Sequence, residues 1–415
     1  MPLFTSDLEL SDDYPTIEPS LRLDFANARA LDPRITFTRA SVATYVGRDR
    51  LIKTAGEDEA RFDHDPATGE SLGLLIEDSR TNDITQSNAS NWSNAGVSKS
   101  TNTSEDVSPE GLNTATIVSE STNNGLHRIK SPNISFSDTR TFSVWIKRNS
   151  GTRDIYINAN AIMGAGLNFN FDTETLGSTT GTASFERYPN QWYRFVLTGT
   201  GTGGTNGVYI QFTQSGNEGD DNYVGVASNK FLLWGAQLEV GSFVTSHIPT
   251  SGASATRAKD DARISGANLE SWINKNEGTW LIDFRLLGAG AGLLSISGTG
   301  ASVNERYMMW NIATDEQIGA AVVDGGVIQT VINITFTPGQ TTQFTKAIFA
   351  VKVNDFAITA NGLTPVTDNS GTVYNSPTQL RFAYGNGTNT PYAHFKTCIY
   401  YPKRLPNTQL QTLTQ

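Results

Sequence analysis

The sequence has little of what most catalytic and metal-binding sites require. Its 415 residues include one cysteine, Cys398, which excludes an internal disulfide and any multi-cysteine metal site. A Gly-x-Ser-x-Gly nucleophile elbow, a Walker loop and a dinucleotide fingerprint in a βαβ setting are absent. The histidines are scattered and none has the spacing of a zinc hydrolase; they are His64, His127, His247 and His394. We therefore expect no enzymatic activity and no resident cofactor.

Basic charge and long apolar runs are also scarce. The chain has 31 Lys and Arg against 41 Asp and Glu, a formal net charge of −10. Nucleic-acid binding needs clustered Lys and Arg, and no basic cluster is visible. No run reaches the roughly 18 apolar residues of a membrane span, and the opening MPLFTSDLEL lacks the features of a signal peptide. We expect a soluble protein, not exported by a signal peptide, without nucleic-acid or membrane partners.

Glycine and small polar residues are abundant instead. The 38 glycines and the long Ser/Thr/Asn-rich stretches indicate many turns and short strands. A chain of this length exceeds what one hydrophobic core usually serves. The sequence predicts an all-β protein with two tandem antiparallel β-sandwiches, or jelly rolls, after a small N-terminal β-rich region and an extended arm.

Period-two alternation marks the first sandwich. The stretch TFSVWIK sets Phe142, Val144 and Ile146 against Thr141, Ser143 and Trp145, which predicts a half-buried strand. QWYRFVLT and GVYIQFT repeat the pattern, and the block closes on NKFLLWGAQLEVG.

The segment WGAQLEVGSFVTSHIPT (residues 234–250) allows two interpretations. Its Trp234, Glu239 and His247 could belong to an active site or to a closing strand. We favour the strand: Trp234 and Leu238 pack into the core, Gly235 and Gly241 allow close backbone approach or a bulge, and Pro249 ends the strand.

Strand-like runs resume near residue 279. They are TWLIDFRLL, LLSIS, RYMMWNI, KAIFAVKVN, FAIT, LRFAYGN and FKTCIYY. Cys398 alternates with its neighbours in the last run, which favours a strand position over a reactive thiol. Asn407 is the predicted N-cap of a short helix that carries Leu410 and Leu413.

These patterns predict five consecutive regions. They are an extended arm (1–20), a small β-rich region (21–86), a jelly roll (87–250), a connector with one helical turn (251–278) and a second sandwich (279–415).

Aromatic residues beside Gly/Asn-rich loops are the candidate glycan-binding residues, because flat rings stack on sugar faces. They are Tyr223, Trp310, Tyr384 and Tyr392. Packing contacts are the alternative explanation.

No metal site is predicted, although Asp220 and Asp221 could hold Ca²⁺ in a loop. A glycoside hydrolase needs only two nearby carboxylates, which sequence cannot locate, and Asp220, Asp221 and Glu239 are the nearest candidates.

Three segments have a recognisable pattern. The segment LDFANARALDPRITFTRASVATYVGRDRLIKTAGEDEARFDHDPATGESLGLLIEDSRTN resembles the opening of a group of bacteriophage virion proteins described as tail-fibre or structural proteins. WGAQLEVGSFVTSHIPTSGASATRAKDD resembles the close of the carbohydrate-binding-module-like jelly roll that follows in many of them, with His247 where TSYIPT has Tyr. The last block, from GTWLIDFRLL to FKTCIYYPKRLPNTQLQTL, is similar to concanavalin A-like or laminin G-like lectin domains.

The resemblance implies a virion protein made in the host cytoplasm, often a homotrimer, that joins other virion proteins through its N-terminal region. It carries no catalytic residues that could be transferred to this chain. We expect a tail fibre or spike that contacts host-surface glycans. The alternatives are a capsid decoration, head-fibre or cement protein, and a polysaccharide depolymerase.

Overall fold

A computed structural model of the protein describes residues 14–101, 105–214, 222–288, 292–298, 304–312, 317–336, 343–383 and 390–415. The strands, numbered in chain order, are β1 (Leu21–Asp24), β2 (Thr36–Thr38), β3 (Ala43–Val46), β4 (Ile52–Ala55), β5 (Arg61–His64), β6 (Ser71–Ile76), β7 (Arg80–Asn82), β8 (Ser93–Ala95), β9 (Val97–Thr101), β10 (Thr116–Glu120), β11 (Asn124–Leu126), β12 (Arg128–Lys130), β13 (Ile134–Ser135), β14 (Thr139–Ser150), β15 (Asp154–Asn158), β16 (Gly166–Asn170), β17 (Thr175–Thr180), β18 (Thr182–Tyr188), β19 (Trp192–Thr200), β20 (Thr205–Asn206), β21 (Tyr209–Thr213), β22 (Asn222–Val224), β23 (Lys230–Val240), β24 (Ala255–Arg257), β25 (Asp261–Ser265), β26 (Glu277–Leu286), β27 (Gly292–Ser297), β28 (Arg306–Ile312), β29 (Gln317–Asp324), β30 (Val327–Thr335), β31 (Thr345–Lys352), β32 (Phe356–Ala360), β33 (Val366–Asp368), β34 (Gln379–Arg381) and β35 (Ala393–Tyr401). The helices are short: α1 (Asn160–Met163), α2 (Ala267–Glu270) and α3 (Asn407–Leu413). The all-β prediction is confirmed.

The strands form two compact units. The first unit contains the described residues of Met1–Thr38, Leu72–Asp78 and Lys259–Gln415, and the second contains those of Arg39–Ser71 and Ser79–Ala258. The range 21–86, expected to be a region of its own, therefore supplies strands to both units. The range 251–278, expected to be a connector, contains β24, β25 and the single helical turn α2.

The first unit contains two antiparallel sheets. One has the order β33-β32-β31-β26-β35-β6, with β1 also pairing with β35; the other, here called the seven-stranded sheet, has the order β2-β25-β34-β27-β28-β29-β30. Strands β29 and β30 were not among the predicted runs. Their sequences, QIGAAVVD and VIQTVINIT, form a hairpin at Gly325 and Gly326, which both adopt positive φ.

Helix α3 covers one apolar cluster of the first unit. Leu410 is fully buried with Leu281, Ile348 and Ile399, and Leu413 packs against them. The predicted N-cap is off by one residue, because Pro406 occupies that position and Asn407 is already helical. The Asn407 side-chain oxygen instead accepts a hydrogen bond from Nη2 of Arg404 at 2.7 Å.

The second unit contains two six-stranded antiparallel sheets, with the orders β18-β19-β14-β23-β10-β9 and β17-β16-β15-β21-β12-β8, and several two-stranded sheets. Phe142, Val144 and Ile146 enter its main core as predicted. The prediction that β14 is half-buried is wrong, because Trp145 on the opposite face is only 1% exposed. A second cluster covers that face; it contains Val46, Ile52, Trp145, Tyr188, Trp192 and Trp234.

Candidate functional site

Trp310 lies on the side of the seven-stranded sheet that faces away from the core of the first unit. On β28, the ring of Tyr307 packs against Trp280 of the other sheet at 5.3 Å between centroids, which places Tyr307 on the core side. Because side chains alternate along a strand, Trp310 projects from the opposite side. The strand register places further residues there, and we call this set the outer face: Asp261, Arg263, Ser295, Ser297, Arg306, Met308, Trp310, Gly319, Ala321, Asn333, Gln379 and Arg381.

Trp310 rests on the backbone of the neighbouring strand. It is directly opposite Gly319 of β29. A Cβ added at Gly319 would lie 2.4 Å from Cζ2 of Trp310 and 2.6 Å from Oδ1 of Asn333, so glycine is what allows the indole to approach the sheet. The indole is half-buried. A partly exposed indole flanked by a side-chain amide offers a stacking surface and a hydrogen-bonding group of the kind that sugars use.

Polar side chains continue the outer face across the sheet. Arg381 is opposite Ser295 on one side and opposite Arg263 on the other. Nε of Arg381 lies 3.1 Å from Oδ1 of Asp261, and its Nη2 donates to Oδ2 at 3.3 Å. Two residues before Arg381 on β34, Gln379 is opposite Ser297, and its Nε2 donates to Oγ of Ser297 at 3.0 Å. The outer face thus combines the partly exposed Trp310 and Arg263 with neighbours that are 8% exposed or less, namely Ser295, Ser297, Met308 and Arg381.

Tyr223 lies in a different setting from the one predicted. It is 7% exposed, its ring stacks on His127 at 4.8 Å between centroids, and the guanidinium of Arg153 lies 4.1 Å from the ring centroid. Its hydroxyl donates to Oε1 of Glu120 at 2.5 Å. Since the ring contacts His127 and Arg153 and is almost fully buried, it offers no face to a sugar.

Glu120 is the acceptor that organises this cluster. Its side chain is fully buried and accepts from Nε of Arg153 at 2.9 Å and from Nδ2 of Asn229 at 2.7 Å. Burial raises the pKa of Glu120, but the hydrogen bonds from Asn229, Tyr223, the Val226 amide and Arg153 outweigh burial and leave the pKa below its usual value. The cluster therefore holds an ionised carboxylate inside the second unit.

Of the remaining candidate residues from the sequence, one is described and three are not. Tyr392 precedes β35, is half-buried, and its carbonyl accepts from the Leu287 amide at 2.7 Å. Tyr384, Asp220 and Asp221 lie outside the described residues. In the part of the chain that is described, no group of three or more His, Cys, Asp and Glu side chains is placed to hold a metal ion.

The segment from Trp234 to Thr250 is structural. Trp234 is 6% exposed and Leu238 fully buried, as predicted. Gly235 has φ +69° and sits opposite a register shift of β14, where an added Cβ would lie 2.6 Å from Cε3 of Trp145. The bulge prediction is thus confirmed. The prediction that Pro249 ends the strand is wrong, because β23 ends at Val240 and residues 241–250 form an irregular return.

Glu239 and His247 are enclosed in that return. Glu239 accepts hydrogen bonds from the Gln237 amide and from the Thr245 backbone N–H, the latter at 3.3 Å. Burial raises the pKa of Glu239, and burial lowers the pKa of His247 to about 3, with Arg194 acting in the same direction on His247. The Glu239 carboxylate is fully buried, so it does not reach a substrate from solvent.

Cys398 has the predicted strand position. It lies on β35, fully buried, and burial raises the pKa of its thiol to about 12. Among the described helices, none has the length and apolar character needed to cross a membrane.

No protein-family model and no curated protein sequence matches the chain. Solved structures that it is similar to include a carbohydrate-binding module (CBM40) of a Ruminococcus gnavus sialidase bound to α2,3-sialyllactose, at 14% identity over 34% of this chain and 83% of that chain, with a TM-score of 0.29. Domains LG4-5 of the mouse laminin α1 chain match at 11% identity over 67% of this chain and 84% of that chain, with a TM-score of 0.22. A Trypanosoma rangeli sialidase matches at 9% identity over 72% of this chain and 60% of that chain, with a TM-score of 0.29. At these values the similarities do not establish what this chain binds or catalyses.

Trp310 was a candidate from the sequence, but its surroundings were not predicted. Gly319 and Asn333 lie on β29 and β30, which were not predicted as strands, and Arg381 and Arg263 come from two other strands. The alternation Thr330, Ile332, Ile334 against Val331, Asn333, Thr335 was the signal that could have identified β30. The pairing of β34 with both β25 and β27 has no sequence signal of that kind.

Proposed function

We propose that the protein is a non-catalytic glycan-binding protein and that the outer face of the seven-stranded sheet is its binding surface. The observation that carries the proposal is the half-exposed Trp310 indole held against Gly319, with Asn333 beside it. Stacking of an aromatic ring on a sugar face, combined with amide and guanidinium hydrogen-bond donors, is the usual chemistry of carbohydrate recognition.

Binding of the protein to arrayed oligosaccharides and to host-type polysaccharides tests this proposal. Trp310→Ala should weaken binding at least about tenfold, because it removes the stacking surface. Gly319→Ala keeps every functional group but should displace the indole and weaken binding similarly. Tyr209→Ala, which removes a partly buried strand aromatic from the second unit, is the matched control and should bind as wild type. Unchanged binding by folded Trp310→Ala and Gly319→Ala proteins would refute the assignment of this surface.

We further propose that the protein is a virion component, a tail fibre or spike that joins other virion proteins through its N-terminal region and presents the glycan sites as a homotrimer. The sequence resemblance of residues 23–82 and 234–261 to phage virion proteins supports this part. Individual sugar sites are weak, and several sites on one assembly would raise the overall affinity by about 10²- to 10⁴-fold.

Gold-labelled antibody imaging of intact particles tests the location. Label at the tail tip or baseplate is the expected result. Label spread over the head, with many more copies per particle, would instead identify a capsid decoration protein.

A further inference from the structure

The outer face carries arginines on three strands, which are β25, β34 and β28. Arg263 of β25 is opposite Arg381 of β34, Arg381 is opposite Ser295 of β27, and Ser295 is opposite Met308 of β28, two residues from Trp310. Arg306 lies on the same side of β28, four residues before Trp310. Neighbouring strands lie about 4.8 Å apart, so Arg381 is about 10 Å and Arg263 about 14 Å from β28. An oligosaccharide several sugars long, with one ring stacked on Trp310, therefore reaches Arg263.

Positive charge on this surface exceeds the carboxylate that pairs with it. Asp261 receives Arg381 at 3.1 Å, while Nη1 of Arg263 is 3.7 Å from Oδ2 of the same carboxylate. Two guanidinium groups thus share one aspartate. The side chain of Arg263 is 37% exposed, so a ligand can reach it. In a chain of net charge −10, such a surface is a local exception and not a reflection of overall composition.

A buried hydroxyl adds a second observation. Ser295 is 1% exposed, and among the described residues its Oγ has no hydrogen-bond partner. The strand register places Ser295 between Arg381 and Met308. A buried hydroxyl without a partner is costly, so its position beside Arg381 indicates a polar group that a water completes beneath the outer face.

Resting on the glycan-binding function proposed above, we propose that the oligosaccharide bound at the outer face carries a carboxylate, which pairs with the exposed guanidinium of Arg263, while another ring of the same oligosaccharide stacks on Trp310. Guanidinium groups bind carboxylates through two parallel hydrogen bonds, which provides direction as well as charge. Neutral sugars would leave Arg263 with only its shared aspartate.

Paired ligands test the carboxylate requirement. One arm uses uronic-acid polysaccharides, each with its carboxyl-reduced product, and the other uses sialylated oligosaccharides, each with its desialylated product. We expect wild type to bind the acidic member at least about tenfold more tightly in one arm, with a preference that weakens as salt rises. The arm that shows the preference identifies the source of the carboxylate.

Arg263→Gln should abolish the preference while leaving Trp310-dependent binding of neutral sugars. Arg263→Lys keeps the charge without the planar fork and should retain part of the preference. Arg187→Gln, an exposed arginine of the second unit paired with Glu174, changes net charge equally and should behave as wild type.

The outcomes separate the two proposals. Equal binding of acidic and neutral members in both arms overturns the carboxylate inference and leaves glycan binding intact. A preference that survives Arg263→Gln overturns the assignment to this surface. If wild type binds no member of either arm and no arrayed glycan, the proposed function itself fails.

Discussion

His247 and Glu239 show how burial sets the charge of individual residues in this protein. His247 packs on Trp234 with ring centroids 4.5 Å apart and is 4% exposed, while Glu239 is fully buried. Burial lowers the pKa of the histidine and raises that of the glutamate, so both shifts favour the neutral side chain. His247 and Glu239, which the sequence allowed as active-site residues, are therefore core residues.

Acidification should destabilise the protein through His247. Its folded pKa of about 3 lies below the unfolded value of about 6.5, so the stability from its neutral form is complete above pH 6.5 and is lost as pH falls toward 3. Between about pH 7.5 and pH 5 this residue should cost about 2 kcal/mol of unfolding free energy. Urea unfolding of wild type and His247→Phe at several pH values measures the effect.

The comparison with His247→Phe is needed because Glu239 acts in the opposite direction. A raised folded pKa means that Glu239 protonation favours the folded state as pH falls. The difference between the two proteins isolates the histidine. Parallel pH dependences of wild type and His247→Phe would show that His247 is not held neutral by burial.

At the scale of elements, the pairing of β14 with β23 depends on one glycine. Gly235 lies where the register shifts between Ser143 and Trp145, and its φ of +69° is one that residues other than glycine rarely adopt. The indole of Trp145 occupies the space beside it and also packs against Trp234 at 5.3 Å between centroids. The bulge therefore allows two large indoles to fit on one face.

Gly235→Ala should destabilise the second unit by about 3 kcal/mol, because backbone strain of about 1 kcal/mol adds to overpacking against Trp145. Urea unfolding measures the loss. Gly252→Ala is the matched control: Gly252 also has positive φ, +93°, but an added Cβ would meet nothing within 4 Å. It should cost only the strain, about 1 kcal/mol. Equal losses in the two variants would mean that the indole does not restrict this position.

At the scale of the whole molecule, the only thiol of the chain reports on folding. Cys398 lies between β26 and β1, opposite Ile282 and Leu23 respectively, and is fully buried. Burial raises the pKa of its thiol to about 12, which leaves almost no thiolate at neutral pH.

Ellman's reagent should therefore fail to label the native protein and should label one thiol per chain at once in concentrated guanidinium chloride. At low denaturant the labelling rate should follow the opening of the first unit, because the reagent reaches Cys398 only when β35 separates from its neighbours. Rapid labelling of the native protein, with its circular dichroism unchanged, would contradict the buried position.

The limits of sequence reasoning follow from particular strands of the molecule. TFSVWIK, QWYRFVLT and FKTCIYY were predicted because alternating large apolar residues have a clear period of two. QIGAAVVD was missed because small residues dominate it, and the small residue at Gly319 is required by the neighbouring Trp310. Half-burial of β14 was predicted wrongly because the cover on its second face comes from Val46 and Ile52, nearly a hundred residues earlier in the chain.

The sequence by itself determined that the protein is all-β, that Trp234 and Leu238 are core residues, and that Cys398 is not a reactive thiol, because composition and local period depend only on neighbouring residues. The tertiary structure decided that Tyr223 is enclosed by His127 and Arg153 and that Trp310 shares a surface with Arg263, Arg381 and Asn333. These outcomes depend on which strands pair and in which register. A shift of one residue would turn every side chain of a strand to the other face, and the pairing energy comes from partners distant in sequence.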